Sequence, residues 1–413
     1  MDVLIERCAG LDVHKDTVMA CVRLPGQGGV RQQEIHEFGT TTAELLALRD
    51  WLSAHGVTVV GMESTGVYWK PPFYVLEDAF TCHLLNARHL KNVPGRKTDV
   101  KDAEWIAQLV EHGLVRPSFV PPNPIRERRN LTRYRKAQIE ERIREAQRLD
   151  KVLQDAGIKL SSVATDVLGV SGRAMLEALV AGTHDPQVLA AFAKGRLRSK
   201  LPALRAALAG RFRTDHHGLL VAQILAHIDY LDETIALLSA RIQQVIGPYA
   251  RAGGAAGHHP RVDRRAAEVI VAEIGPDMGQ FPTPAHLASW AGVCPGNNES
   301  AGKHRSGRTR KGSKWLGGCL SEVAKAASRT KGTYLSAQYH RLRGRRGPGK
   351  ATMAVAHSVL VIAYHVLDQG VADQELGDDY FQQRHSAEHH QRQLVRQLER
   401  LGHKVTLEPI QAG

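Results

Sequence analysis

The residues best suited to chemistry in this chain are carboxylates. Asp99 and Asp102 lie three apart within Lys97-Thr98-Asp99-Val100-Lys101-Asp102-Ala103-Glu104-Trp105-Ile106-Ala107. Thr98 is an N-cap type, and Ala103, Trp105, Ile106, Ala107, Leu109 and Val110 predict a helix beyond it. That spacing in a first turn puts both carboxylates on one face, with Cβ atoms roughly 5–6 Å apart. Two charges so close repel unless a divalent cation lies between them. A pair of acids also suits a helix N-terminus through the dipole alone. Asp12 and Glu63 tip the balance, because each follows an apolar, strand-like run, as a metal site shared across one sheet requires. All four are hard oxygen donors, suited to magnesium or manganese rather than zinc. Two such ions about 4 Å apart clamp a scissile phosphate and stabilise its attacking and leaving oxygens. His14, two residues past Asp12, is expected on the same strand face.

A second constellation is Pro295-Gly296-Asn297-Asn298-Glu299-Ser300-Ala301-Gly302-Lys303-His304-Arg305-Ser306-Gly307. Ser300 lies in a small-residue loop beside Lys303 and Arg305, where positive neighbours and a metal favour an alkoxide. Ser306 and Ser313 are rival nucleophiles by the same argument, and a loop serine that only hydrogen-bonds phosphate fits equally. From Lys303 to Lys350 there are 14 Lys/Arg and one acid, Glu322, so this stretch alone accounts for the chain's net +13. One basic segment on a neutral body is the footprint of a polyanion-binding surface, with Lys303, Arg305, Arg308, Arg310, Lys311 and Lys314 at its start.

The elements that must position these groups alternate at first. Cys8–Val13, Thr17–Leu24, Glu34–Phe38, Val57–Met62 and Cys82–Leu85 read as strands, and Thr41–His55 and Pro72–Ala79 as helices. Strand–hairpin first and helices later, with acids at strand ends and on a helix, is the order of a ribonuclease H-like (resolvase-like) α/β domain over 1–122. Residues 123–250 read as helical: Arg126–Leu153, with few apolar positions, as a long exposed helix or an antiparallel coiled coil, and Leu219–Ile246 as the returning arm. Residues 258–370 form a mostly helical unit with Phe281, Leu287, Trp290 and Ala291 in its core. The tail, 371–413, carries an apolar stripe of Leu394, Val395, Leu398 and Leu401.

At 413 residues the chain is long enough for several cores. No apolar run approaches the ~18–20 residues of a membrane span, and no signal-peptide pattern opens the chain. Five scattered cysteines fit a reducing cytoplasm. A Walker-type phosphate loop is absent, which argues against nucleotide-driven chemistry.

At these constellations the sequence resembles the DEDD-type transposases of bacterial insertion sequences, the IS-one-ten family with its one-eleven-eleven subgroup. Gly10-Leu11-Asp12-Val13-His14-Lys15, Met62-Glu63-Ser64-Thr65-Gly66-Val67-Tyr68-Trp69 and Pro94-Gly95-Arg96-Lys97-Thr98-Asp99-Val100-Lys101-Asp102-Ala103 carry the likeness. So do Gly169-Val170-Ser171-Gly172-Arg173-Ala174-Met175-Leu176 and the tail from Leu398 to Pro409. The chain departs from relatives at Ala301, where glycine is frequent. The resemblance implies a C-terminal transposase domain whose nucleophile is Ser300, cleavage through a 5′-phosphoserine, donor and target DNA as substrates, and a structured guide RNA. It also implies a homodimer or homotetramer at work in the bacterial cytoplasm, near the nucleoid. A junction-resolving nuclease that uses water, or a non-catalytic nucleic-acid-binding protein, are the alternatives the residues allow.

Overall fold

The computed structural model describes residues 2–26, 28, 30–63, 66–86, 102–246, 263–296, 299–300, 302–304, 309, 311–371, 374–383 and 387–407. It divides into two units, Met1–Pro121 and Pro122–Gly413.

The first unit is a five-stranded mixed sheet with helices on both faces. Its strands are β1 (Cys8–Val13), β2 (Thr17–Pro25), β3 (Arg31–Gly39), β4 (Val59–Glu63) and β5 (Thr81–Leu85), in the order β3-β2-β1-β4-β5. β1 pairs antiparallel with β2 and parallel with β4, and β4 pairs parallel with β5. β1 is apolar on both faces because both are covered. Ala9, Leu11 and Val13 pack with Leu45, Leu48 and Leu52 of α1 (Thr42–Ala54), a helix capped by the Thr41 hydroxyl. Phe73 and Leu76 of α2 (Lys70–Leu76) join the same core. The third strand is longer than Glu34–Phe38, since its pairing with β2 runs from Arg31 to Gly39 along an exposed edge.

The other face carries α3 (Asp102–Glu111). Here the sheet is smoothed by glycines. A Cβ at Gly10 would lie 2.3 Å from the Ala103 carbonyl oxygen and 2.3 Å from the Ala107 nitrogen. A Cβ at Gly61, the register partner of Gly10, would lie 2.5 Å from Val110 Cγ2. The helix therefore rests its backbone almost directly on β1 and β4. Its direction is fixed at both ends. Ala103 packs with Cys21 and Met19, the strand partners of Gly10 and Asp12. At the far end Glu111, fully buried, accepts from Arg23 Nε at 2.9 Å and Arg31 Nε at 2.5 Å. Arg23 is the register partner of Cys8, so the N-terminus of α3 lies at the C-terminal ends of β1 and β4.

The second unit is helical. α4 (Asn123–Asp155) begins it, α5 (Val170–Val180) follows, and α6 (Leu219–Ile246) returns antiparallel along α4. Arg142–Asp232, Glu145–His227 and Asp155–His217 pairs mark that register. Leu149, Leu153, Met175, Leu176, Leu179, Val221 and Leu225 fill the core between them. α7 (Arg264–Ile274), α8 (Pro284–Trp290), α9 (Lys314–Arg329), α10 (Tyr334–Arg346) and α11 (Pro348–Gln369) make the remainder, with α12 (Ala387–Arg400) after them. α7 ends at Gly275, whose φ of 79° is the left-handed stop.

One expectation is corrected and two features were not anticipated. The helix read as exposed buries Arg126, Arg128, Thr132 and Arg135; α7 packs on its first half, and there Arg135 lies 2.7 Å from the buried Glu268. A helix over Tyr334–Arg346 was not anticipated, since its arginines hide its two buried residues, Leu335 and Ser336. An apolar helix long enough by composition to cross a membrane does exist, Pro348–Gln369. Its Val355, Val359 and Leu360 are buried within the unit against α8, α9 and α10, the pattern of a core helix. The tail stripe is exposed at Leu394, Leu398 and Leu401.

If the glycine contact seats α3, Gly10→Ala lowers the unfolding free energy by about 1–3 kcal/mol in denaturant titrations, as an overpacked core does. Gly317→Ala, within α9 and with nothing inside 4 Å of its Cβ, leaves it unchanged or raises it by about 1 kcal/mol.

Candidate active site

Asp12 is the penultimate residue of β1, and Glu63 is the last of β4. Leu11 pairs with Met62, so Asp12 and Glu63 are the next residues on adjacent parallel strands, about 5 Å apart across the sheet. Both share the face of Gly10 and Gly61, the face α3 covers. Asp102 is the first residue of that helix, at the same end of the sheet. Three half-buried carboxylates thus gather where α3 begins, and its dipole favours negative charge there. Asp99 and its proposed cap Thr98 lie outside the described residues. His14 Nε2 lies 3.1 Å from Asp12 Oδ2, with the ring largely exposed. The donor set is oxygen only apart from this imidazole, which fits a hard divalent cation. Beneath the site, burial by α3 pushes the Cys8 and Cys21 thiols up to about 12, so they are inert packing groups.

Ser300 is placed in the second unit, in a two-stranded hairpin of β6 (Glu299–Ser300) and β7 (Lys303–His304), with Ser300 paired to Lys303. Gly302 makes the turn at φ 72°. A bridge between Pro295 and Thr309 closes the segment. At its end a Cβ at Gly312 would lie 2.0 Å from the Ala291 carbonyl oxygen, so the backbone is pressed onto the end of α8. Arg305, Ser306, Arg308 and Arg310 lie outside the described residues. Lys311 and Lys314 are exposed, and so are Arg341, Arg343, Arg345, Arg346 and Lys350 on and after α10.

Ser313 has a different job. Its hydroxyl caps α9, accepting from the Leu316 amide, and donates to Glu273 Oε2 at 3.0 Å. Glu273 is buried and also takes a bidentate pair from Arg133, at 2.7 and 2.9 Å. Arg129 donates to the Ala272 and Glu273 carbonyls; burial pushes it down to about 10, still protonated at neutral pH. Sequence reading passed over Glu273 and Glu111. The signal was an acid on the apolar stripe of a helix, in Val269-Ile270-Val271-Ala272-Glu273-Ile274 and Leu109-Val110-Glu111.

Another group, Asp155, His216 and His217, has ligand atoms within 4.8 Å of one another. His217 Nδ1 accepts the Arg213 amide proton at 3.0 Å, so Nε2 carries the ring proton and donates to Asp155 Oδ2 at 3.1 Å. A cation on Nε2 would force that proton onto Nδ1, against the amide N–H. The arrangement is satisfied as a hydrogen-bonded start to α6.

Two family models match the chain. One for DEDD-type IS110 transposases matches residues 9–158, which contain all but the first residue of β1, together with β4, α3 and the whole of α4. One described as the transposase IS116/IS110/IS902 family matches residues 257–340, which contain α7, the Ser300 hairpin and α9. Together they cover more than half of the chain. No curated protein matches it.

Because Ser313 is a cap and a partner of a buried carboxylate, Ser313→Ala lowers the unfolding free energy by about 1–3 kcal/mol. Ser313→Thr recovers most of it, since the hydroxyl returns, and thermal melts of the two variants check this.

Proposed function

The chain belongs to the IS110 family of transposases, and from that premise we propose that it cuts and exchanges DNA strands through a phosphoserine intermediate. What supports the reading is that Asp12 and Glu63 lie at the ends of adjacent strands of the five-stranded mixed sheet and Asp102 begins the helix on that same end and face. With Asp99 they would hold magnesium or manganese, which when bound supplies positive charge to the scissile phosphate and its attacking and leaving oxygens.

The chain's own groups do the rest. Ser300 Oγ forms the bond to phosphorus while the P–O3′ bond breaks. The serine proton is released and the leaving oxygen takes up a proton. The products are a 5′-phosphoserine and a free 3′ hydroxyl. A different 3′ hydroxyl then attacks the phosphoserine and frees the serine, so the bond energy is conserved and no nucleoside triphosphate is consumed. The basic segment from Lys303, with Arg305, Arg308, Arg310, Lys311 and Lys314, grips the phosphate backbone.

The finer assignment has three further parts. Residues 1–122 hold the carboxylates, 123–250 the coiled coil, 258–370 the serine, and 371–413 a helical tail. A structured guide RNA pairs with donor and target DNA and sets the site. Subunits assemble as a homodimer or homotetramer on the DNA, in the bacterial cytoplasm.

Incubation with element-end DNA and magnesium, followed by denaturing electrophoresis, gives a covalent protein–DNA adduct for wild type and for Ser313→Ala. Ser300→Ala gives none. Asp12→Asn and Asp102→Asn lower strand cleavage by at least ~100-fold with DNA affinity retained, the scale of losing transition-state charge stabilisation. An adduct that survives Ser300→Ala sinks the serine assignment. Magnesium-dependent cleavage with no adduct makes water the nucleophile.

A further inference from the structure

The second unit contains a cavity unrelated to the carboxylates. It lies between α4, α7 and α9 and encloses about 610 Å³, within the range of ligand pockets, about 300–1,000 Å³. Its lining mixes charged side chains with apolar ones, among them Val269 of α7 and Cys319 and Val323 of α9. Cys319 is not a reactive group there: burial pushes its thiol up to about 12.

One wall is the half-buried ring of Trp315, which faces cations. Lys314 Nζ lies 4.9 Å and Arg133 Cζ 5.9 Å from its centroid. Lys136, Arg265 and Lys314 stand among the lining residues. Most of the acids there are already engaged. Asp263 caps α7 by accepting from the Ala266 amide, Glu273 holds Arg133 and Ser313, and Glu322 pairs with Lys136 at 3.0 Å. Among the described residues no carboxylate lies within ion-pair distance of Arg265 or Lys314. Both side chains are exposed, so the Lys314 ammonium can leave the indole for another anion without breaking an ion pair.

An aromatic face among apolar side chains, with unpaired cations beside it, complements a flat heterocycle carrying an anionic tether. A purely apolar peptide segment would leave the cations unused, and free phosphate would leave the indole and the apolar side chains unused. Trp315 also lies within the basic segment, four residues after Lys311 and next to Lys314. We propose that this cavity receives one unpaired nucleotide of a single strand, its base stacked on Trp315 and its phosphodiester held by Lys314 and Arg265. The proposal rests on the nucleic-acid reading of the basic segment and is independent of Ser300 and the carboxylates.

The test is fluorescence anisotropy of the full chain with 12-nucleotide single-stranded DNA and RNA, each also made with a run of abasic sites. Trp315→Leu keeps apolar bulk without the π-face and lowers affinity about 10-fold. It leaves the slope of log K against log salt unchanged, because stacking releases no counterions. Lys314→Gln lowers that slope by about 0.7. Trp315→Phe restores most of the affinity, and the abasic oligonucleotides bind wild type and Trp315→Leu alike. Whether the DNA or the RNA series shows the larger Trp315 effect identifies which strand is captured. Unchanged affinity in Trp315→Leu, or an equal loss with the abasic oligonucleotides, overturns the proposal and makes Trp315 a packing residue. If the Leu variant fails to fold by circular dichroism, wild-type affinity indifferent to abasic substitution overturns it instead. Strand transfer that persists while the Trp315 effect is absent removes only this pocket. A wild type that binds neither oligonucleotide removes the nucleic-acid reading as well.

Discussion

The first unit depends on one contact, the backbone of α3 lying on Gly10 and Gly61. No side chain larger than hydrogen fits at Gly10, so the helix sits closer to the sheet than packing of ordinary side chains permits. Closeness sets where its first residue falls. Asp102 is brought level with the ends of β1 and β4, where Asp12 and Glu63 stand as next neighbours in register. At the opposite end, Arg23 and Arg31 hold the buried Glu111. Breaking such a pair leaves a buried charge uncompensated, about 3–5 kcal/mol, so the helix is pinned against sliding. A one-residue slip along β1 would carry Asp12 to the opposite face, into the apolar layer of α1. Register, glycines and the buried ion cluster act together to keep three like charges on one side of the sheet.

The second unit uses buried charge in a comparable way. Glu273 and Glu268 lie on the buried face of α7 and take Arg133 and Arg135 from α4. These pairs fix which face of α4 meets α7, a choice that hydrophobic contact alone specifies weakly. Through Ser313, Glu273 also ties down the start of α9, and hence the last residue of the segment that carries Ser300. The cavity beside Trp315 opens in the same junction. A long helix, the start of α9 and one wall of the cavity are thus held by one set of hydrogen bonds.

Much of the first unit was legible because its strands are apolar, short and bounded by turn residues, and because α1 repeats Leu45, Leu48 and Leu52 at helical spacing. The placement of Asp12 and Glu63 at the ends of strands was legible from their position at the ends of such runs. What the pattern could not convey was the tertiary use of charge. Arg133 and Arg135 look solvated in sequence, and their placement becomes comprehensible only when α7 supplies Glu273 and Glu268 across more than a hundred residues. For the same reason α10 escaped notice, as its arginines outweigh its short buried face. Helix α11 shows the opposite case: by length and composition it could cross a membrane, yet Val355, Val359 and Leu360 are buried in the unit's core. Gly10 and Gly61 read as ordinary strand glycines; their purpose is visible only once a helix lies on them.

The central claim is that the carboxylates at the ends of β1 and β4 and the start of α3 bind the divalent ion. Manganese titration followed by electron paramagnetic resonance tests it most directly, on wild type, on the Asp12→Asn/Glu63→Gln double variant and on His217→Gln. The account predicts saturable binding by wild type and by His217→Gln, and its loss in the double variant. Binding that survives in the double variant and disappears in His217→Gln would contradict it, and would move the metal to the Asp155, His216 and His217 cluster.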